Sequence, residues 1–397
     1  MKKKLFLGAA LGFSLLLGAN QAHALNPETE KLLDLLQNKK VITDEDADSF
    51  RRTLKKEATK EEAGEEQPAE KSLLQKINER VTLGGLVEIE ATAGKDYEGT
   101  KESDITLATV ELGLDAEITD WANGHILLLY EEDDTPLGVD EGFITLGNLE
   151  KFPLYFAAGK MYVPFGAFET YMISDPLTLE LGENNESAAQ VGFEISGFYG
   201  SFYAFNGDID ETGADNGIKN FGVNAGYGFE NDTVSLDLGA GWINNIASSD
   251  TLTDYFGDAS IEDYVAGFTA RMNLGYGPFS VIAEYLGAVD SFHAAELGFN
   301  GHGAQPKAWY LEAAYATTIK GMETTFALGY QGTDEALALE LPKKRLLASI
   351  GVEIVENVYL GLEYLHDKDY KTKDYSKDAC GTGNDADAVT MKLAVEF

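Results

Sequence analysis

One cysteine, nine prolines and five histidines are all that this chain of 397 residues holds of three residue types on which many secreted folds and enzymes depend. Cys380 has no internal partner, which excludes a disulfide-stapled fold and leaves no second thiol to resolve a redox cycle. It stands in a polar stretch with Gly381, Gly383 and Asn384 and reads as a loop residue. Beyond residue 24 the histidines are His125, His293, His302 and His366, and none has a metal-ligand spacing such as H-E-x-x-H. No strand sets a serine beside a histidine and an orienting acid, so neither catalysis nor a metal or other cofactor is expected. Basic residues are scarce too. With 30 of them against 67 acidic ones the formal net charge is −37, which excludes nucleic acid as a partner, since phosphate binding is driven by Lys and Arg.

Long apolar runs are missing as well. Lys2, Lys3 and Lys4 precede an apolar stretch over 5–17, and Ala22, His23 and Ala24 follow in the small-x-small pattern of a secretory cleavage site, so residues 1–24 are expected to be a signal peptide. That stretch is shorter than the roughly 18 apolar residues a spanning helix needs. Nothing after it is long and apolar enough either, in keeping with a mean hydropathy of −0.18. Residues 25–80 read as a helical periplasmic extension and linker. Asn26, Pro27 and Glu28 start a helix whose apolar face is Leu32, Leu33, Leu35 and Leu36, and the stretch 58–70 is rich in Glu, Lys and Ala.

What is abundant is glycine, tyrosine and phenylalanine, at 42, 19 and 21 residues, together with period-two alternation from Val81 to the end. The alternation predicts strands over 81–93, 104–118, 123–132, 139–147, 153–162, 188–197, 200–206 and 219–229. It continues over 233–244, 263–276, 279–289, 307–318, 322–332, 345–354, 358–367 and 387–397. Connections between them alternate short and long, as in an outer-membrane barrel with tight periplasmic turns and long outer loops. The expected fold is therefore all-β: a 16-stranded antiparallel transmembrane barrel over residues 81–397. The last strand ends on Phe397, with Val389, Met391, Leu393 and Val395 on the same face, and is expected to seal against the first and to serve as the signal read by the barrel-assembly machinery.

Outward positions carry Leu236, Leu238, Ala240 and Trp242, or Trp309, Leu311, Ala313 and Tyr315, which sets lipid outside and a wet lumen inside. The same parity points Glu88, Glu90, Glu111, Asp115, Glu117, Glu194, Asp237, Glu284, Glu312, Glu353 and Glu363 inward, against Lys160, Arg271, Arg345 and Lys392. Rings of carboxylates gather cations and repel anions, so a cationic or metal-bearing small solute is the expected cargo. Solvated wall residues paired across strands, with no selectivity, are the plainer alternative. The stretch 163–187 is too apolar to stand in water and is expected to fold back and narrow the pore. Its candidates are Phe165, Phe168, Glu169, Tyr171, Asp175, Glu180 and Glu183, the alternative being an outer lid.

The blocks LLYEEDDT (128–135), VDEGFITLG (139–147), FPLYFAAGKMYVPFGAFET (152–170) and SDPLTLELGE (174–183), continued by Phe205, Asn206 and Gly207, resemble the LbtU-type siderophore porins. That resemblance implies a sixteen-stranded outer-membrane barrel with an N-terminal periplasmic extension. It also implies uptake of a ferric siderophore without the plug and energy-coupling box of TonB-dependent receptors. It brings no residue-level cargo motif. The phosphate-selective porins share the outline but expect basic residues along the pore, against the acidic list above. Two further readings stay open: a general cation-preferring porin, and an anchor whose residues 25–80 engage cell wall or a periplasmic partner. A homo-oligomer is compatible with each of them.

Overall fold

The computed structural model describes residues 80–214 and 217–397; the expected signal peptide and, apart from Arg80, the helical extension lie outside the described residues. From Val81 onward the chain forms one closed antiparallel barrel of sixteen strands. In chain order these are β1 (Val81–Lys95), β2 (Lys101–Thr119), β3 (Ala122–Tyr130), β4 (Gly138–Gly147), β5 (Leu154–Tyr162), β6 (Asn185–Ile195), β7 (Phe198–Phe205) and β8 (Asn220–Glu230). They continue as β9 (Val234–Ile243), β10 (Gly267–Tyr276), β11 (Phe279–Ala288), β12 (Lys307–Ile319), β13 (Met322–Asp334), β14 (Lys344–Val355), β15 (Val358–Lys368) and β16 (Asp385–Glu396).

Each strand pairs with its neighbours in sequence, and β16 returns to β1 in the register Val87 to Val395, Ile89 to Leu393 and Ala91 to Met391. The seam ends at Phe397, whose N–H donates to Gly85 O at 3.0 Å while Gly85 N–H donates to Phe397 O at 2.8 Å. The Phe397 ring lies over Gly85, and a Cβ there would stand 2.5 Å from the ring, so any other residue would make the ring shift. One end of the barrel is closed by tight turns. Ser196 and Gly197, and likewise Lys320 and Gly321, all have positive φ, the twist a two-residue type I′ hairpin requires.

Three strand starts differ from the alternation by three residues or more, and of these β2 begins at Lys101 rather than 104. β6 begins at Asn185 rather than 188, because Asn185, Glu186 and Ser187 pair with β5 although they are polar at the rim. β10 begins at Gly267 rather than 263; Val265 instead accepts the Ile246 N–H at 2.7 Å and is buried in a loop core.

That core is the main departure from a uniformly wet lumen. The outer connections carry two short helices, α1 (Leu177–Gly182) and α2 (Asp250–Phe256). Their apolar side chains, such as Phe165, Leu177, Leu181 and Leu252, are buried together with inward residues of β5 to β12, including Met161, Tyr203, Phe205, Leu286 and Ala308. Inward residues of β1 and β2, such as Glu88, Glu90 and Glu111, are only half-buried. Strand parity reports which way a side chain points but not what covers it, so the apolar loops bury the inward residues of β5 to β12 and leave the acids of β1 and β2 half-buried.

Replacing Phe397 by Ala is expected to weaken the seam by about 1 kcal/mol, the usual size of a single destabilising change. Urea unfolding of the reconstituted barrel, followed by heat-modifiable gel mobility, measures it; an unchanged midpoint would remove the ring from the closure.

Candidate functional site

The loop 163–184 leaves the rim at the end of β5, crosses the lumen and lies against the opposite wall. Much of its length has no helix or ladder of its own, so its backbone donors need partners, and wall side chains provide them. Glu284 on β11 accepts the N–H groups of Ala167 at 2.9 Å and Phe168 at 3.1 Å, and the Thr178 hydroxyl at 3.1 Å. Glu312 on β12 accepts the Tyr171 N–H and the Thr170 hydroxyl, both at 2.7 Å. Glu363 on β15 accepts the N–H groups of Ile173 at 2.6 Å and Ser174 at 3.2 Å. Between them, Gln331 on β13 accepts the Leu177 N–H at 2.8 Å, and Ser349 on β14 donates to Tyr171 O at 3.1 Å. Hydrogen bonds to a charged group contribute roughly 1.5–3 kcal/mol each, so the set holds the loop firmly.

These contacts revise the expected list. Glu284, Glu312 and Glu363 do point inward, but they are 4%, 1% and 1% exposed, covered by the loop they bind, and are not free pore charges. Lys160 is corrected more fully. Its pairing with Gly142 and Ser187 puts it on the face of Leu154 and Phe156, turned to lipid near the rim, where its long stem lets the ammonium reach Val139 O at 3.4 Å. Gln331 and Ser349 were missed; both lie on inward parity, and their signal was polarity on that face.

Several other acids are paired on the wall. Tyr199 OH donates to Asp237 at 2.9 Å and accepts from Arg271 at 2.6 Å, with Arg271 itself 3.3 Å from Asp237. Asp115 lies 2.7 Å from His125 Nδ1, and Glu353 accepts the Asn357 N–H at 3.1 Å in a tight turn. Glu117 and Glu194 are exposed near the tight-turn end of their strands.

On the β1 side, Glu88 and Glu90 lie within Coulombic reach of Asp175 of the loop, Glu180 lies within reach of Asp175 and Arg345, and Glu111 of β2 lies within reach of Glu88 and Glu131. Asp175 is exposed and within Coulombic reach of Glu88, Glu131, Lys392 and Arg345. Both nearby cations are already engaged: Lys392 lies 3.1 Å from Glu88, and Arg345 holds Asp367 through two bonds of 2.9 and 3.0 Å. Among the loop residues, Phe165 is buried, Phe168 has a left-handed φ of 54°, Tyr171 OH donates to Ser280 at 3.1 Å, and Glu169 is bonded to Asn273.

No protein-family model matches the chain. A UPF0422 protein of Legionella pneumophila strain Paris is 32% identical, over 80% of this chain and 66% of its own length. A UPF0422 protein of Coxiella burnetii is 30% identical, over 77% of this chain and 66% of its own length. The homologues of this chain are UPF0422 proteins. The chain spans 66% of the length of these relatives. Among solved structures, Pseudomonas putida OprB has a TM-score of 0.57 at 10% identity, covering 81% of this chain and 95% of OprB. An anion-selective porin of Comamonas acidovorans gives 0.55 at 15% identity, covering 80% and 99%. The outer membrane channel DcaP of Acinetobacter baumannii gives 0.53 at 17%, covering 80% and 97%. These neighbours share the fold, a closed antiparallel barrel like that of porins.

Two acids that lie between strands, Glu183 and Asp250, are shifted upward. Burial, reinforced by Asp250, Asp175, Asp140 and Glu180, pushes Glu183 up to about 8. Burial likewise raises Asp250 to about 6, against the opposing Asn185 backbone N–H. A carboxyl raised this way is neutral below its pKa and charged above it, so going from pH 6 to pH 9 adds negative charge at the β5–β6 end of the loop. Cation preference, read as reversal potential across a KCl gradient, is therefore expected to rise over that interval in the native protein and to rise less in Glu183→Gln, where Asp250 alone of the two still gains charge. Parallel curves for the two proteins would show that Glu183 does not face the ion path.

Proposed function

We propose that this protein is an uptake channel for small solutes whose cargo is an iron–siderophore complex. The observation that carries the channel reading is the contrast across the lumen: the loop 163–184 buries the carboxylates of the β11 to β15 wall while the acids of the β1 side stay half-buried or exposed, and we read that side as an open slit. Its acids, Glu88, Glu90, Glu111, Asp175 and Glu180, outnumber the cations Lys392 and Arg345, each of which already holds a carboxylate. Such a slit concentrates cations and metal-bearing solutes by its field, and a low-dielectric wall strengthens that field. The siderophore part comes from the sequence blocks between 128 and 183, which resemble the LbtU-type porins. The likeness of the barrel to porins supports passage through its interior.

A general cation-preferring porin rests on the same acidic slit and needs no dedicated cargo. Two measurements separate the readings. Iron-starved cells lacking the protein are expected to lose uptake of labelled ferric siderophore; normal uptake in such cells rules out the specific cargo and leaves the general porin. In planar bilayers the purified protein is expected to prefer cations, and a preference for anions contradicts both readings.

A further inference from the structure

The outward face of the barrel is largely apolar, and a group of charges interrupts it where five neighbouring strands, β14, β15, β16, β1 and β2, end. Leu346 on β14, Leu362 and Tyr364 on β15, and Val389 and Met391 on β16 are exposed and mark that face. Followed to the end away from the tight turns, it reaches Lys344 on β14, directly opposite Lys368 on β15. Lys368 in turn stands opposite Asp385 on β16, and one outward pair further in, His366 stands opposite Asp387. Asp387 also faces Lys95 of β1, which lies directly opposite Lys101 of β2. Four lysines and a histidine thus share the patch with two acids, in a chain whose formal net charge is −37. Glu102 and Asp104 of β2 and Asp367 of β15 take the inward parity. At the same end of β8, β9 and β10 the outward positions carry rings instead, Phe221, Trp242 and Phe268.

Both acids are already engaged. Asp387 accepts the Tyr364 hydroxyl at 2.7 Å and lies 2.7 Å from His366 Nδ1 and 2.9 Å from Lys95 Nζ, while Asp385 lies 2.8 Å from Lys368 Nζ. Lys101 and Lys344 are exposed, and among the described residues neither holds a carboxylate. Like charges directly opposite one another destabilise a sheet, so each lysine pair, Lys344 with Lys368 and Lys95 with Lys101, is a place where a bound anion relieves repulsion. The pairs are centred three strand spacings apart, roughly 14 Å at about 4.8 Å per strand. Beneath them the wall is apolar, and a lysine stem lets its ammonium rise from such a wall to the level of lipid headgroups. We propose that this patch binds a lipid headgroup carrying two phosphates, one at each lysine pair, with its acyl chains on the apolar face below. An ammonium is a compact point charge suited to phosphate, and the apolar wall selects a lipid over a free ion. The inference rests on the membrane barrel behind the proposed channel and is independent of the cargo.

The test titrates the full-length protein in detergent with diphosphoryl lipid A and with monophosphoryl lipid A, bound lipid being read by native mass spectrometry. The native protein is expected to prefer the diphosphoryl form. Lys101→Gln and Lys344→Gln are each expected to weaken its binding about fivefold, the size of one lysine at a membrane surface, and the double variant to weaken it further. Lys160→Gln, outward on β5 and outside the patch, is expected to bind as the native protein does. Native affinity in the double variant overturns the proposal, as does equal affinity of the native protein for the two lipids. Displacement of lipid A by an equal concentration of inorganic phosphate overturns the lipid as the source of the phosphates. Should the double variant fail to form a heat-modifiable barrel, the native protein decides: raising KCl from about 0.1 to about 0.5 M is expected to weaken diphosphoryl lipid A binding, and binding indifferent to salt overturns the proposal. A native protein that stays in solution without detergent overturns the membrane barrel itself, so the two failures are distinct.

Discussion

Hydrocarbon offers no hydrogen-bond partners, and the whole architecture answers that constraint. A sheet in lipid has to close, and closure here depends on the last residues of the chain finding the first strand, with Phe397 and Gly85 exchanging both backbone bonds at the seam. Once the ladder is complete, every second side chain faces lipid and the rest face inward. The outward set, for example Leu238, Leu311, Leu328 and Met391, is apolar and exposed as lipid demands. The candidate solute path lies along the other set and the loops that enter from the rim.

The interior is governed by a second, local constraint. A loop inside a barrel has no ladder to join, so its backbone must be satisfied by wall side chains or by water. The wall opposite β5 supplies buried carboxylates, and the apolar half of the loop then packs against its neighbours. Buried charge is costly unless well bonded, and these acids meet the condition with two or three donors each. The same arrangement divides the interior by chemistry, with an apolar core on the β5 to β12 side and a half-buried acidic face on the β1 side.

Much of this was legible in the sequence, and the parts that were not share a physical reason. Period-two alternation located sixteen strands because lipid and interior impose opposite demands on adjacent residues, and the seam at Phe397 followed from the same pattern. The aromatic content of 163–187 signalled a segment that leaves water. Parity could not show that Glu284, Glu312 and Glu363 would be covered, since covering depends on a segment more than a hundred residues away in sequence. Val265 was misplaced because a buried loop residue and a strand residue look alike when both are β-branched and apolar. Lys160 shows the limit of charge as a guide: near a rim, a lysine on the lipid face is tolerated by reaching along the wall.

The barrel is braced from within. A hollow cylinder of hydrogen-bonded strands flattens easily under sideways load, as a hoop does, whereas a hoop with a rigid spoke does not. The segment between β5 and the β11 to β15 arc is such a spoke, so lateral pressure from the surrounding lipid is carried across the middle and the ellipticity of the cross-section is fixed along that direction.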